Sequence, residues 1–233
     1  MFKNVLKVGG WTLLSRITGF ARDILMAAII GAGPMMDAFA VAFRLPNHFR
    51  AIFGEGAFAN AFVPAYTRVR TQEGEAAGDL FHGRIFTLLL ASQLVLLAIA
   101  LIWTSGLVEL LAPGFAARST VFAQTVELTR ITFPYLLCMT LVTLWADVLA
   151  SVKQFTAAAA APILLNFSMI GTLLLAYLFK TPAHAAAWGV FIAGTLELTL
   201  LFVAARRAGV IVAPKWPELD PQVRRFFRAF GPA

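Results

Sequence analysis

The sequence predicts an all-α, polytopic membrane helix bundle, on three observations. Sixty per cent of the 233 residues are hydrophobic and 13% are charged, against roughly 45–50% and about 25% in average soluble domains. The apolar residues gather into the runs Ile85–Trp103, Ile131–Ala150, Ala157–Phe179 and Ala185–Ala205. Each is close to the ~20 residues that cross a hydrocarbon core as a helix. Lysines and arginines, finally, sort into alternate loops instead of spreading evenly.

The elements follow in order. The start, MFKNVLKVGGWTLLSR, has the look of a signal peptide. Arg16 interrupts its apolar run and no A-x-A site follows, so the segment about 5–30 is expected to be a retained first helix. GAGP at 31–34 punctuates the chain before a second helix, about 35–65. A polar loop holds Gly74–Gly78, a third helix covers about 84–108, and APG at 112–114 closes it. The fourth covers about 119–151, with a kink expected at Pro134 in ITFPYLL. The fifth and sixth cover about 156–179 and 184–206, separated by Lys180–Pro182. Val212–Pro217 then breaks the chain, and a helix restarts near Val223. Residues 1–210 thus read as one transmembrane lobe, and 211–233 as a cytoplasmic linker with the start of a seventh helix. Trp11, Trp103 and Trp188 fall near the helix ends, where interfacial aromatic belts belong.

On this layout one side of the membrane receives Lys3, Lys7, Arg68, Arg70, Arg84, Lys153, Arg206, Arg207, Lys215, Arg224, Arg225 and Arg228. The other receives only Arg118 and Lys180. Such an excess marks cytoplasmic loops, which places the amino terminus in the cytoplasm. The net charge of +7 is then topological, with membrane lipid as its partner and no nucleic acid. The single cysteine, Cys138, leaves no intrachain disulfide or cysteine metal site. His48, His82 and His184 are too scattered for a metal. No phosphate-binding Gly-rich loop, nucleophile elbow or zinc-protease motif occurs. No enzyme, cofactor or metal is expected.

Charges remain at membrane depth: Arg16, Arg22, Arg44, Arg50 and Arg130, with Asp23, Asp37, Glu55, Glu127, Asp147 and Glu197. Each costs about 2.5–3.5 kcal/mol at the bilayer centre on insertion scales. They must therefore face protein or a wet cavity. At about 100° per residue, Arg16 and Asp23 share a face of the first helix, as do Asp37 and Arg44 on the second. Pro46 removes a backbone donor and clashes near Ala42, and Gly54 and Gly56 flank Glu55, so the second helix has hinge points. Broken helices at this depth are tolerated where they line a cavity. One reading is structural: Arg22 with Asp23, and Arg50 with Glu55, as ion pairs that fix packing. The other is a cationic cavity wall. In the first two helices cations outnumber acids, and a surplus arginine suits phosphate, whose oxygens its planar fork matches.

SRITGFARDILMAAIIGAG (15–33), MMDAFAVAFRLPNHFRAIFGEGAFANAFVPAY (35–66), LLAPGF (110–115), TRITFPYLL (129–137) and LLNFSMIG (164–171) together resemble the amino-terminal half of the MurJ/MviN family. These are lipid II flippases of bacterial peptidoglycan synthesis, within the multidrug/oligosaccharidyl-lipid/polysaccharide (MOP) exporter superfamily. The resemblance implies fourteen membrane helices in two six-helix lobes plus two more. This sequence would supply the first lobe and the start of helix seven, with a second lobe, absent here, as its partner. It implies that Arg16, Arg22, Arg44 and Arg50 line a cavity that holds the lipid diphosphate. Asp23, Asp37 and Glu55 would set cavity charge or gate it, and Pro46, Gly54 and Gly56 would be hinges. It also implies a bacterial inner-membrane protein that moves the lipid II headgroup outward by alternating access. A flippase for another polyprenyl-linked glycan, and a non-transporting membrane scaffold, are the alternatives.

Overall fold

The computed structural model describes residues 2–54, 57–115, 117 and 119–230, with side chains at 8–48, 58–115, 117 and 120–228. The described chain is helical, without strands. Its helices are α1 (Phe2–Ile29), α2 (Pro34–Gly54), α3 (Ala57–Gln72), α4 (Glu75–Ile102) and α5 (Thr104–Leu111), then α6 (Ser119–Thr132), α7 (Pro134–Ser151), α8 (Thr156–Leu174), α9 (Pro182–Arg207) and α10 (Pro221–Phe230). Among them Glu75–Ile102, Thr120–Ser151, Thr156–Leu174 and Pro182–Arg207 are long and apolar enough to cross a membrane. Trp11, Trp103 and Trp188 are all exposed.

Local chemistry explains the joints. Gly31 (φ +73°) and Gly33 (φ +147°) take the backbone from α1 into α2 through conformations that a side chain disfavours. Pro134 opens α7 at a position where its missing N–H is no loss. Phe133 before it keeps helical angles and bonds back to the Thr129 carbonyl at 2.9 Å. The chain is therefore bent there, not cut, and α6 with α7 spans as one unit. The segment expected at 84–108 starts earlier, at Glu75, and is interrupted at Trp103. Arg84 lies inside α4 because its charge has partners on the linker, described below.

Pro46 stays within α2 and is buried. It has no N–H to give to the carbonyl four residues back, that of Ala42. The Thr132 hydroxyl on α6 donates to that oxygen instead, at 2.8 Å. Hydroxyls and neighbouring helices satisfy freed backbone groups in this way at membrane depth. Thr132 is fully buried, so Thr132→Val leaves the carbonyl orphaned. A loss of about 1–3 kcal/mol is expected, read as a lower unfolding midpoint in detergent, with Thr132→Ser close to wild type.

The centre of the bundle is α9, packed against α8, α7 and α6. Its buried residues include Ala183, Ala186, Ala187, Gly189, Val190, Ala193 and Gly194, a small-residue seam of the kind that lets membrane helices approach closely. A Cβ on Gly189 would stand 2.8 Å from the Met169 backbone. α1 packs along α8, while α2 packs along α6 and α7. The two helices that carry the candidate arginines thus rest on different neighbours.

The other end of the chain folds back. Linker residue Lys215 bonds through its N–H to the Gly83 carbonyl at 3.3 Å. A Cβ on Gly83 would lie 2.8 Å from the Ala213 carbonyl oxygen, so only glycine admits the linker on α4. Arg84 forks onto Glu218 and Asp220. Asp220 also accepts from the Val223 N–H at 2.7 Å, capping α10. α10 then inserts Val223 and Phe226 between α3 and α4, leaving Arg224, Arg225 and Arg228 exposed. Phe226 meets Phe58, Phe62 and Phe81 edge-on, at centroid distances of 5.6, 6.2 and 6.2 Å, a geometry that the ring quadrupoles favour.

Candidate functional site

Arg22 is the best-defined of the candidate residues. It leaves α1 toward α8 and is about one-fifth exposed. Its Nε and Nη2 donate to Asp23 Oδ1 at 3.0 and 2.8 Å, and Nη1 donates to Asn166 Oδ1 at 3.0 Å. Asn166, on α8, is buried. Its Nδ2 donates back to the Ser15 carbonyl and Thr18 Oγ1 at 2.9 and 3.0 Å. Every polar atom of that amide is engaged, which fixes the guanidinium against α1. A guanidinium has five N–H groups, and these bonds use three. One N–H on each terminal nitrogen is outside these bonds. Asp23 is mostly exposed.

Sequence reasoning passed over Asn166. A search weighted toward charges does not register a neutral amide. The signal was present, though: it is a polar side chain inside the run Ala157–Phe179, and such groups must be satisfied internally.

Arg44 is exposed on α2, with Nη1 3.4 Å from the Leu111 carbonyl, a weak hold. It borders a cavity of about 390 Å³ with Phe39, Phe43, Asn47 and His48 of α2 and Met26 of α1. This cavity brings the two candidate helices together. Arg16 and Asp37 are exposed, and their side chains make no hydrogen bond or ion pair among the described residues. Asp37 sits in the first turn of α2, where the helix dipole favours an acid. Arg16 and Asp23 share a face of α1 by spacing, yet the carboxylate is engaged by Arg22. The Arg50 side chain, Glu55 and Gly56 lie outside the described residues, and Gly54 is the last residue of α2.

The remaining intramembrane charges serve other places. Glu127 on α6 pairs with Lys180 at 2.7 Å and with His184 at 3.2 Å, tying α6 to the start of α9. Arg130 reaches Thr104 Oγ1 at 3.4 Å, joining α6 to α5. Asp147 and Glu197 are buried in α7 and α9. No group of acidic, histidine or cysteine side chains among the described residues could hold a metal. At the start of α9, Thr181 Oγ1 and His184 Nδ1 stand 2.9 Å apart, with His184 Nε2 3.2 Å from Glu127 Oε2. Among the candidate arginines described, Arg22 is the one that is firmly held.

Of the candidate arginines only Arg44 borders the cavity between α1 and α2; Arg16 and Arg22 do not line it. The fold defines a polytopic helical membrane protein with cationic groups on its first two helices. A family model described as "Lipid II flippase MurJ" matches residues 26–233. The probable lipid II flippase MurJ of Rhizobium meliloti (strain 1021) is 41% identical, over 100% of this chain and 44% of that protein. The lipid II flippase MurJ of Burkholderia cenocepacia is 36% identical, over 100% of this chain and 46% of that protein. A solved structure of lipid II flippase MurJ in an inward closed conformation superposes with a TM-score of 0.79 at 24% identity. It covers 97% of this chain and 46% of that one. The chain belongs to the MurJ family. It matches the amino-terminal half of those proteins and spans about half the length of the curated relatives.

Proposed function

We propose that this chain is the amino-terminal lobe of a lipid II flippase of the bacterial inner membrane, with its amino terminus in the cytoplasm. The observation that carries the reading is Arg22, held by Asn166 and Asp23 through bonds that leave two of its five N–H groups over. Lipid II presents a diphosphate, and moving that charge through hydrocarbon unaided is prohibitive. Charge-assisted bonds from Arg22, with Arg16, Arg44 and Arg50 as further donors, replace the water around it. Asp23 already holds one edge of Arg22 and reclaims it as the diphosphate leaves; Asp37 and Glu55 have the same role at the other arginines. Rocking of this lobe against a second one exposes the cavity to each side in turn, with Pro46, Gly54 and Gly56 as hinge points. The chain acts by transport and not by covalent chemistry. The sidedness follows from the lysine and arginine distribution.

The test uses the complete parent protein in cells depleted of their own lipid II flippase. Rescue of growth, with lipid II reaching the outer face in a labelling assay, is the expected result. Failure to rescue at normal membrane abundance moves the substrate to another polyprenyl-linked glycan. Rescue by an Arg22, Arg44 double alanine variant makes those arginines structural and removes them from the site.

A further inference from the structure

A second cavity, of about 600 Å³, is lined by the start of α1, the end of α7 with the α7–α8 turn, α8 and α9, and α2 contributes nothing to it. Its walls are mostly apolar, with Trp11 of α1, Ala160 of α8, and Leu200 and Val203 of α9, beside the polar Gln154 and Thr156. Lys153 and Arg207 stand at one end, and no carboxylate lines it. Neither cation has an ion-pair partner among the described residues. Both sit at helix ends, Arg207 in the last turn of α9 and Lys153 just past α7.

The backbone at Lys153 is a separate observation. Its φ is +61°, and it is the only described residue other than glycine with a positive φ. The Lys153 N–H bonds to the Ala150 carbonyl and the Gln154 N–H to the Leu149 carbonyl, both at 2.9 Å. That is the left-handed helix stop at which glycine is the usual residue. A lysine here carries steric strain that glycine would avoid, and such strain persists at sites with a task.

We infer that this groove holds one anionic phospholipid, its headgroup phosphate between Lys153 and Arg207 and an acyl chain along Trp11, Leu200 and Val203. An apolar trench closed at one end by two unpaired cations is complementary to a molecule with a charged head and a long apolar tail. A free inorganic anion has no use for the trench. The inference needs only the membrane-spanning fold and stands apart from the flippase reading.

The experiment takes the full chain, purified in detergent, and titrates phosphatidylglycerol or phosphatidylcholine, counting bound lipid by native mass spectrometry. At least tenfold preference for phosphatidylglycerol is expected. Lys153→Gly should lose most of that preference while its thermal midpoint holds or rises, because strain is relieved as the ammonium is removed. Arg207→Gln should lose it too, and Arg206→Gln, beside the groove, should not. Ala160→Trp, which fills the trench and leaves both cations, should also abolish retention. Equal retention by Lys153→Gly and wild type overturns the proposal. So does an equal loss with Arg206→Gln, which would make the effect one of bulk charge. Displacement of the lipid by equimolar inorganic phosphate likewise overturns it, since the trench would then contribute nothing.

Discussion

Arg22→Ala in the complete protein is expected to lower transport per molecule by at least tenfold. Abundance changes less, because the lost contacts are few. Removing the guanidinium deletes one bond between α1 and α8 and leaves Asn166 Oδ1 without its donor. A bond to a charged group contributes about 1.5–3 kcal/mol, which lowers the unfolding midpoint without abolishing the fold. The transport loss has a different source. The two N–H groups left over by those bonds vanish, and each charge-assisted bond to a phosphate oxygen is of similar size, so losing even one exceeds the 1.4 kcal/mol of a tenfold change. Arg22→Lys separates the two effects. It keeps the positive charge but cannot reach Asp23 and Asn166 together while presenting a planar fork. Rescue titrated against membrane abundance reads the difference. If transport per molecule is unchanged in Arg22→Ala, the residue is a packing element between α1 and α8, and the cationic-wall mechanism fails with it.

Phe226→Ala is expected to release α10. The ring is buried and touches Phe58, Phe62 and Phe81, and truncating such a side chain costs about 3–5 kcal/mol. Docking of a ten-residue helix has little else to hold it: Val223, the Arg84 fork and the Gln222–Glu73 bond. A loss of that size raises the undocked population more than hundredfold. Limited trypsin digestion at Lys215 and Arg224 measures it, since cleavage tracks the open population when closing is fast. Phe227→Ala, half-exposed by comparison, should change the rate little. If Phe226→Ala digests like wild type, the Arg84 fork alone carries the docking.

The polar layout was only partly legible from the sequence, and the reasons differ by residue. Pro46 pointed to a freed carbonyl at Ala42, because proline chemistry is local. That Thr132 would be the donor to it depends on α6 packing against α2, ninety residues away in the chain. Arg84 was read as a charge outside the membrane. In the structure it extends α4 by turning onto Glu218 and Asp220, a contact that no local pattern encodes. Asn166 was passed over for a simpler reason: a search weighted toward charges skips a neutral amide, though this one anchors the best-defined arginine. By contrast, α8 and α9 follow from their apolar runs and from the prolines around them: α9 covers Pro182–Arg207 against an expected 184–206, while α8 starts at Thr156 as expected but ends at Leu174, short of 179.

The seam of α9 has a thermodynamic consequence. Alanine and glycine have no side-chain rotamers to freeze, so their burial carries none of the roughly 0.5–2 kcal/mol of ordering entropy that a leucine or methionine gives up. Backbones in direct contact also leave no alternative side-chain packing to fluctuate into. The α8–α9 contact is therefore stiff without being entropically taxed. Of the peripheral helices, α1 rests mainly on α8 and α2 mainly on α6. α1 and α2 are the two helices that carry the candidate arginines.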